Sequence, residues 1–261
     1  MKIVVVDSHN EVLPYWFEEY LRSKLPLVIV RIDQHHDMNQ ECPTLPAKEG
    51  RPLFDYLAKI MPYIYEYAKM KLNEGNFTCP AFHYGIVGAL YHFNPRENKI
   101  DAYGRIFGEE IKDAPKTAVM ARIINGKRIN RIIWDGALTR LRLQGGKTTP
   151  VPQKLHLDNF KEEIEGSRLP LAICFDLDGV YGMGDSGQAE EVVGKRLDKV
   201  KAVLDCISSP VLACIARSQR PRTYVPPGLV DSLQKIVLHE YLLSTRIQKH
   251  QSVYCAYQGF Y

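Results

Sequence analysis

Leu27-Val28-Ile29-Val30-Arg31-Ile32-Asp33-Gln34-His35-His36-Asp37 is a short apolar run that ends in a burst of metal-type ligands. The run is too short for a helix and rich in β-branched residues, which predicts a buried strand. In open α/β sheets, ligands bind beyond the carboxyl ends of the strands. Asp33, His35 and Asp37 alternate, so an extended segment would turn all three to one side. Two carboxylates and an imidazole converging there need positive charge between them, and a divalent metal is the simplest candidate.

Two other apolar runs end the same way. Lys2 to Val6 lead into Asp7-Ser8-His9, and Leu169 to Phe175 lead into Asp176-Leu177-Asp178-Gly179. A polar surface turn explains one such ending; it explains three poorly. Between the first two runs, Leu13, Trp16, Phe17, Tyr20 and Leu21 share one face at helical spacing, with Pro14 in the first turn. A strand, a helix and a strand in succession predict a parallel sheet with a right-handed crossover.

Farther out, the rhythm is uneven. Pro52 to Leu72 carries an amphipathic helical pattern with a kink or break expected at Pro62. Val119 to Ile124, Asn125-Gly126 and Arg128 to Trp134 predict a β-hairpin with a two-residue turn. The segment 76–160 lacks a clean alternation of strand and helix. It is expected to embellish the core and to bear substrate contacts. The alternation returns with a Gly-rich loop from Gly179 to Gly187, a helix containing Val193, Leu197, Val200 and Leu204, a strand from Val211 to Ala216, and a helix containing Leu229, Leu233 and Ile236. Together these features predict one α/β domain over residues 1–261, a three-layer α/β/α arrangement around a mainly parallel sheet.

Composition narrows the function classes. The 261 residues carry a mild net charge of +4. The basic patch Lys127, Arg128, Arg131, Arg140 and Arg142 has no nucleic-acid motif beside it and reads as a solvated face. The six cysteines form no C-x-x-C pair, which argues against a thiolate zinc site. No apolar run is long enough for a signal peptide or membrane span. The expectation is a cytoplasmic enzyme that binds neither nucleic acid nor membrane. The aromatic tail Tyr254, Tyr257, Phe260 and Tyr261 suits docking on the body or a homo-oligomer contact.

The candidate metal ligands are His9, Asp33, His35, Asp37, Asp176 and Asp178. Four carboxylates balance two divalent cations in charge. A pair of metals about 3.5–4 Å apart can activate a hydroxide at neutral pH. Oxygen-rich ligands with one imidazole per ion favour manganese.

Asp33-Gln34-His35-His36-Asp37 resembles the D-x-H-x-D motif of the arginase and agmatinase (ureohydrolase) superfamily, and Asp176-Leu177-Asp178-Gly179 resembles its D-x-D motif. The resemblance implies an arginase-like fold with two manganese ions per chain. His9, Asp33, Asp37 and Asp176 would hold one; Asp33, His35, Asp176 and Asp178 would hold the other, with Asp33 and Asp176 bridging. The opening Asp7 to Trp16, with Ile215 to Ser218 and Thr223 to Leu229, is similar to a branch that includes the peptide arginases. That branch implies conversion of arginine to ornithine within a ribosomally made precursor peptide, with release of urea. The resemblance covers both ends of the chain and is weakest in the middle.

One departure stands out. Arginases end a late strand in a glutamate that holds the guanidinium, whereas Val211 to Ser218 ends in Arg217 and Ser218. Glu11 and Asp135, each following an apolar segment, are the candidates to replace it. Asp178 and His83 are the candidate proton carriers, with His36 second to His83. Three other readings compete. Asp176-Leu177-Asp178-Gly179-Val180 also resembles the nucleophile motif of haloacid-dehalogenase-type phosphatases, but that reading leaves His9, Asp33, His35 and Asp37 unexplained. A single-zinc deacylase of histone-deacetylase type leaves the second ligand set unused. A non-catalytic, metal-stabilised binding protein is the third.

Overall fold

The computed structural model describes residues 1–35, 37, 45, 46, 50–96, 105–107, 123–124, 127–128, 132–134, 140–143, 148–150 and 157–243, with backbone alone between 105 and 150. Its centre is a six-stranded sheet. In chain order the strands are β1 (Lys2–Val6), β2 (Leu27–Ile32), β3 (Val87–Phe93), β4 (Arg105–Phe107), β10 (Leu171–Asp176) and β11 (Leu212–Ala216). The spatial order is β1-β11-β10-β2-β3-β4, with every pair parallel except β3 with β4. The fold is α/β. Among the described residues β11 is the only strand beside β1.

Both faces of this sheet are covered, which is why its inner strands read as unbroken apolar runs. All residues of β2 and β10 are buried. Successive side chains along β2 point to opposite faces. Val28, Val30 and Ile32 join a core with Phe175, Phe160, Val200 and Leu233, while Leu27 and Ile29 join one with Cys174, Trp16, Phe17 and Tyr56. The first layer comes from α4 (Leu157–Gly166), α5 (Ala189–Leu204) and α6 (Pro227–Ile236). The second comes from α1 (Leu13–Ser23) and α2 (Leu53–Lys71).

Three details differ from the sequence expectations. First, of the kink or break expected at Pro62, the break is absent, for α2 runs from Leu53 to Lys71 through it. Pro62 is exposed, so the carbonyl that loses its partner faces water. Second, the expected hairpin arm from Arg128 to Trp134 is divided. β5 (Ile123–Ile124) pairs with β6 (Lys127–Arg128), whereas β7 (Ile132–Trp134) joins a separate sheet with β8 (Arg140–Leu143) and β9 (Thr148–Pro150). Third, the segment 76–160 is not only embellishment. Its residues Val87–Phe93 are a fully buried core strand beside β2. Gly88, Tyr91 and His92 interrupt the apolar run that would have marked it. No described helix is long and apolar enough to cross a membrane.

Candidate metal centre

The carboxyl ends of β1, β2 and β10 lie along one edge of the sheet, and each delivers ligands there. Beyond β1 the chain turns at Ser8 into a short 3-10 helix, His9–Val12, that buries His9. Beyond β10 a second 3-10 turn, Leu177–Gly179, follows Asp176. The Asp176 side chain accepts the Asp178 amide at 3.2 Å, so both carboxylates stay at the edge. β2 stops at Ile32, one residue before its first ligand.

The Asp33–Asp37 segment is not extended, as its alternation suggested. The Asp33 side chain accepts the His35 amide at 2.7 Å, a turn in which aspartate mimics the backbone. Asp37 then takes a left-handed φ of 48°. The three ligands therefore diverge to two partners. Asp37 meets His9, with 2.8 Å between Oδ2 and Nδ1. His35 meets Asp178, with 3.0 Å between Nδ1 and Oδ2.

All six predicted ligands come together. His9 Nδ1 lies 3.2 Å from Asp33 Oδ2 and 3.1 Å from Asp176 Oδ2, besides its approach to Asp37. Two groups of ligand atoms result, His9 with Asp33 and Asp37, and Asp33 with His35 and Asp178. Asp33 belongs to both. One imidazole nitrogen has a single in-plane lone pair or proton and cannot satisfy three carboxylates. Ligands held about 2.1 Å from one ion at right angles stand about 3 Å apart, which is the spacing found here.

The donor set fits a cation on a second ground. His9 Nδ1, Asp33 Oδ2 and Asp178 Oδ1 are buried with no hydrogen-bond partner among the described residues. Burial and the neighbouring Asp37 push the Asp33 carboxyl well above the usual range. Burial and Asp176 push Asp178 up as well. Burial acts against charging His9, but Cys174 and Asp176 outweigh it and raise the imidazole. His35 is raised by its hydrogen bond to Asp178, against its burial. Asp37 goes down despite burial, because His9 and Arg31 favour its anion. The described residues thus supply too little positive charge, and this buried His/Asp cluster could hold a metal ion.

No protein-family model matches the chain, and no curated protein matches it either.

The remaining predicted site residues are less central. Glu11 reaches back to accept the Ser8 amide at 3.3 Å, the return half of a capping box. It thereby supports the turn that presents His9. His83 ends the short helix α3 (Thr78–His83), and its side chain lies outside the described residues. Asp135 and His36 lie outside them altogether.

Several supporting residues escaped the sequence reading. Ser218, also at a left-handed φ, donates its hydroxyl to Asp176 Oδ1 and leaves Oδ2 facing His9. Its position just past β11 is the signal that could have found it. Arg96 donates to the Asp178 carbonyl from Nη2 at 2.7 Å and from Nε at 3.2 Å. Asp185 bridges Arg96 and Arg196, and Arg196 also binds the Val180 carbonyl at 2.8 Å. This clamp ties the Gly-rich loop to the ligand turn. Its partners lie tens of residues apart, so no local motif announces it.

Gly179 explains why a glycine follows the D-x-D pair. A Cβ there would sit 3.1 Å from the Asp33 Cα and 3.3 Å from the Gln34 amide nitrogen. Those are backbone atoms that cannot swing aside. Gly179→Ala should therefore push the β2 and β10 ligand turns apart, costing about 1–3 kcal/mol of stability as overpacking does. Metal affinity should fall about 10-fold or more, read by competition with a chelator. Unchanged affinity would mean the two turns do not share an ion.

Proposed function

We propose that the chain is a binuclear manganese hydrolase of the ureohydrolase type, acting on an arginine side chain within a peptide and releasing urea. The observation that carries this reading is the sharing of Asp33 by two ligand triads, each with one imidazole and carboxylates. A single-ion deacylase would leave His35 and Asp178 without a role. The resemblance of both ligand motifs to those of the arginase superfamily supports the substrate class, and the preference for a precursor peptide over free arginine rests on that resemblance alone.

Bound divalent ions would supply a hydroxide at neutral pH and polarise the substrate. In this reading His9, Asp37, Asp33 and Asp176 would hold one ion, and His35, Asp178, Asp33 and Asp176 the other. Ser218 fixes one oxygen of Asp176 and so orients the other. Arg96 holds the Asp178 backbone and keeps its carboxylate at the edge. Asp178 Oδ1 has no hydrogen-bond partner among the described residues, which supports a role in carrying a proton to the departing ornithine amine. His83 is the second proton source.

Incubation with manganese and an arginine-containing peptide should yield urea and a peptidyl ornithine, detected by a urea assay and mass spectrometry. Free arginine, run in parallel, should be a poor substrate. Efficient turnover of free arginine with peptides ignored would overturn the peptide assignment. Full activity with one tightly bound zinc, or hydrolysis of an acyl-lysine peptide without any urea, would overturn the whole reading.

A further inference from the structure

Between α2 and α3 the chain makes a tight turn that carries Glu74. Asn73 organises it, accepting the Gly75 amide on its side chain and the Asn76 amide on its backbone oxygen. Glu74 is partly buried, and its Oε1 accepts the Tyr224 hydroxyl at 2.8 Å. Its Oε2 is shielded from solvent and has no hydrogen-bond partner among the described residues. Among the described residues Glu74 has no cationic partner. A shielded carboxylate oxygen left without a donor is costly, so the site is built for a donor that comes from outside.

The segments that carry this pair border the metal centre. Three residues beyond Glu74, the Phe77 ring packs on His9 with 4.7 Å between centroids. The Tyr224 ring meets His35 edge-on at 5.9 Å. Tyr224 is itself pinned by its backbone. Its amide donates to the Ser218 carbonyl at 2.9 Å, and its carbonyl accepts the Met183 amide at 2.7 Å. The segment holding Ser218 and the Gly-rich loop after Asp178 thus fix where Glu74 can point.

We propose that Glu74, held by Tyr224, forms a subsite beside the ligand triads for the cationic side chain of a substrate, a guanidinium or an alkylammonium. Each carboxylate oxygen accepts two hydrogen bonds. Oε2 keeps both of its positions and Oε1 keeps one, enough for a two-pronged N–H donor. The phenol oxygen, having given its proton to Glu74, accepts a further one. The subsite deepens the ureohydrolase reading and rests on it for the choice of substrate. It supplies from the α2–α3 turn the carboxylate that the end of β11 lacks.

The test separates the subsite from the chemistry. N-acetyl-lysine amide and N-acetyl-norleucine amide differ in side-chain charge, and neither can release urea. Titrated into the manganese-loaded protein in a calorimeter, the lysine compound should bind at least about 10-fold more tightly. Glu74→Gln should erase that difference while elemental analysis shows unchanged manganese. Tyr224→Phe should reduce it several-fold. On an arginine peptide, Glu74→Gln should raise KM more than it lowers kcat. Equal binding of the two compounds by the wild-type protein, or undiminished lysine binding by Glu74→Gln, would overturn the subsite. A charge preference lost in Glu74→Gln, in a protein that releases no urea from any arginine compound, would uphold the subsite and overturn guanidine hydrolysis.

Discussion

Asp33→Ala should empty both halves of the metal centre at once. Asp33 is common to both ligand groups found among the described residues, and its loss leaves each with one histidine and one carboxylate of its own beside Asp176. Changing a group that merely supports a ligand costs about 10–100-fold in metal affinity or activity, so losing a shared ligand should cost more than about 100-fold. Urea release should drop to background, and elemental analysis should find no stoichiometric metal. Retention of one full equivalent would show that the triads bind independently. A companion variant, Asp33→Asn, makes the opposite demand on the metal-free protein. The native carboxyl is buried and its charge is disfavoured by Asp37. A neutral amide removes that repulsion and can still accept the His35 amide. The metal-free variant should therefore melt higher than the metal-free native protein, while gaining nothing from manganese. A lower melting temperature would mean that the native fold stabilises the Asp33 carboxyl instead of straining it.

Manganese should also reverse the pH dependence of stability. In the metal-free protein the folded-state pKa values of Asp33 and Asp178 are raised. Their stabilising contribution is complete below the unfolded value, about 3.9, and is lost as pH rises through the folded values. His9 and His35 are raised too, so their contribution is complete below about 6.5 and fades above it. Asp37, which is lowered, works in the opposite sense, but only on the acid side of the ordinary carboxylate range. The metal-free melting temperature should fall from about pH 5 to pH 8. Metal binds the deprotonated ligands, so its affinity rises over the same interval. At a concentration 1,000 times the dissociation constant it adds about 4 kcal/mol, roughly 10 °C for a domain of this size. Thermal scans with a chelator and with manganese across this range test both slopes. A metal-free protein that grows more stable toward pH 8 would refute the charge picture of the centre.

Much of this centre was legible in the sequence because inner parallel strands advertise themselves. β2, β10 and β11 are continuous apolar runs, and the residues just beyond them are ligands or, at Ser218, the partner of one. The route by which Asp33, His35 and Asp37 converge was not legible. Alternation suggested a strand, but an aspartate that caps its own turn at His35 outcompetes strand pairing. β3 was hidden by the glycine, tyrosine and histidine within it. The thin apolar stripe of α4, with Phe160 and Ile164 buried, was overlooked. The groups that steady the ligands were beyond reach for a different reason. Arg96 with Asp178, and Glu74 with Tyr224, are pairs made only by the fold, and neither member is unusual in its own local sequence.

The position of β1 at the sheet margin sets the order in which this protein can be assembled. Lys2 lies opposite Leu212, and Val6 opposite Ala216. β1 therefore waits for a partner that is made on the order of 200 residues later, roughly 10–40 s at ordinary rates of synthesis. Throughout that interval Ile3, Val4 and Val6 have no sheet neighbour, although β2 and β3 can already pair. Pairings so distant in sequence are slow to form. The nascent chain is thus exposed to aggregation at β1 until β11 is made, and His9, just beyond β1, waits with it.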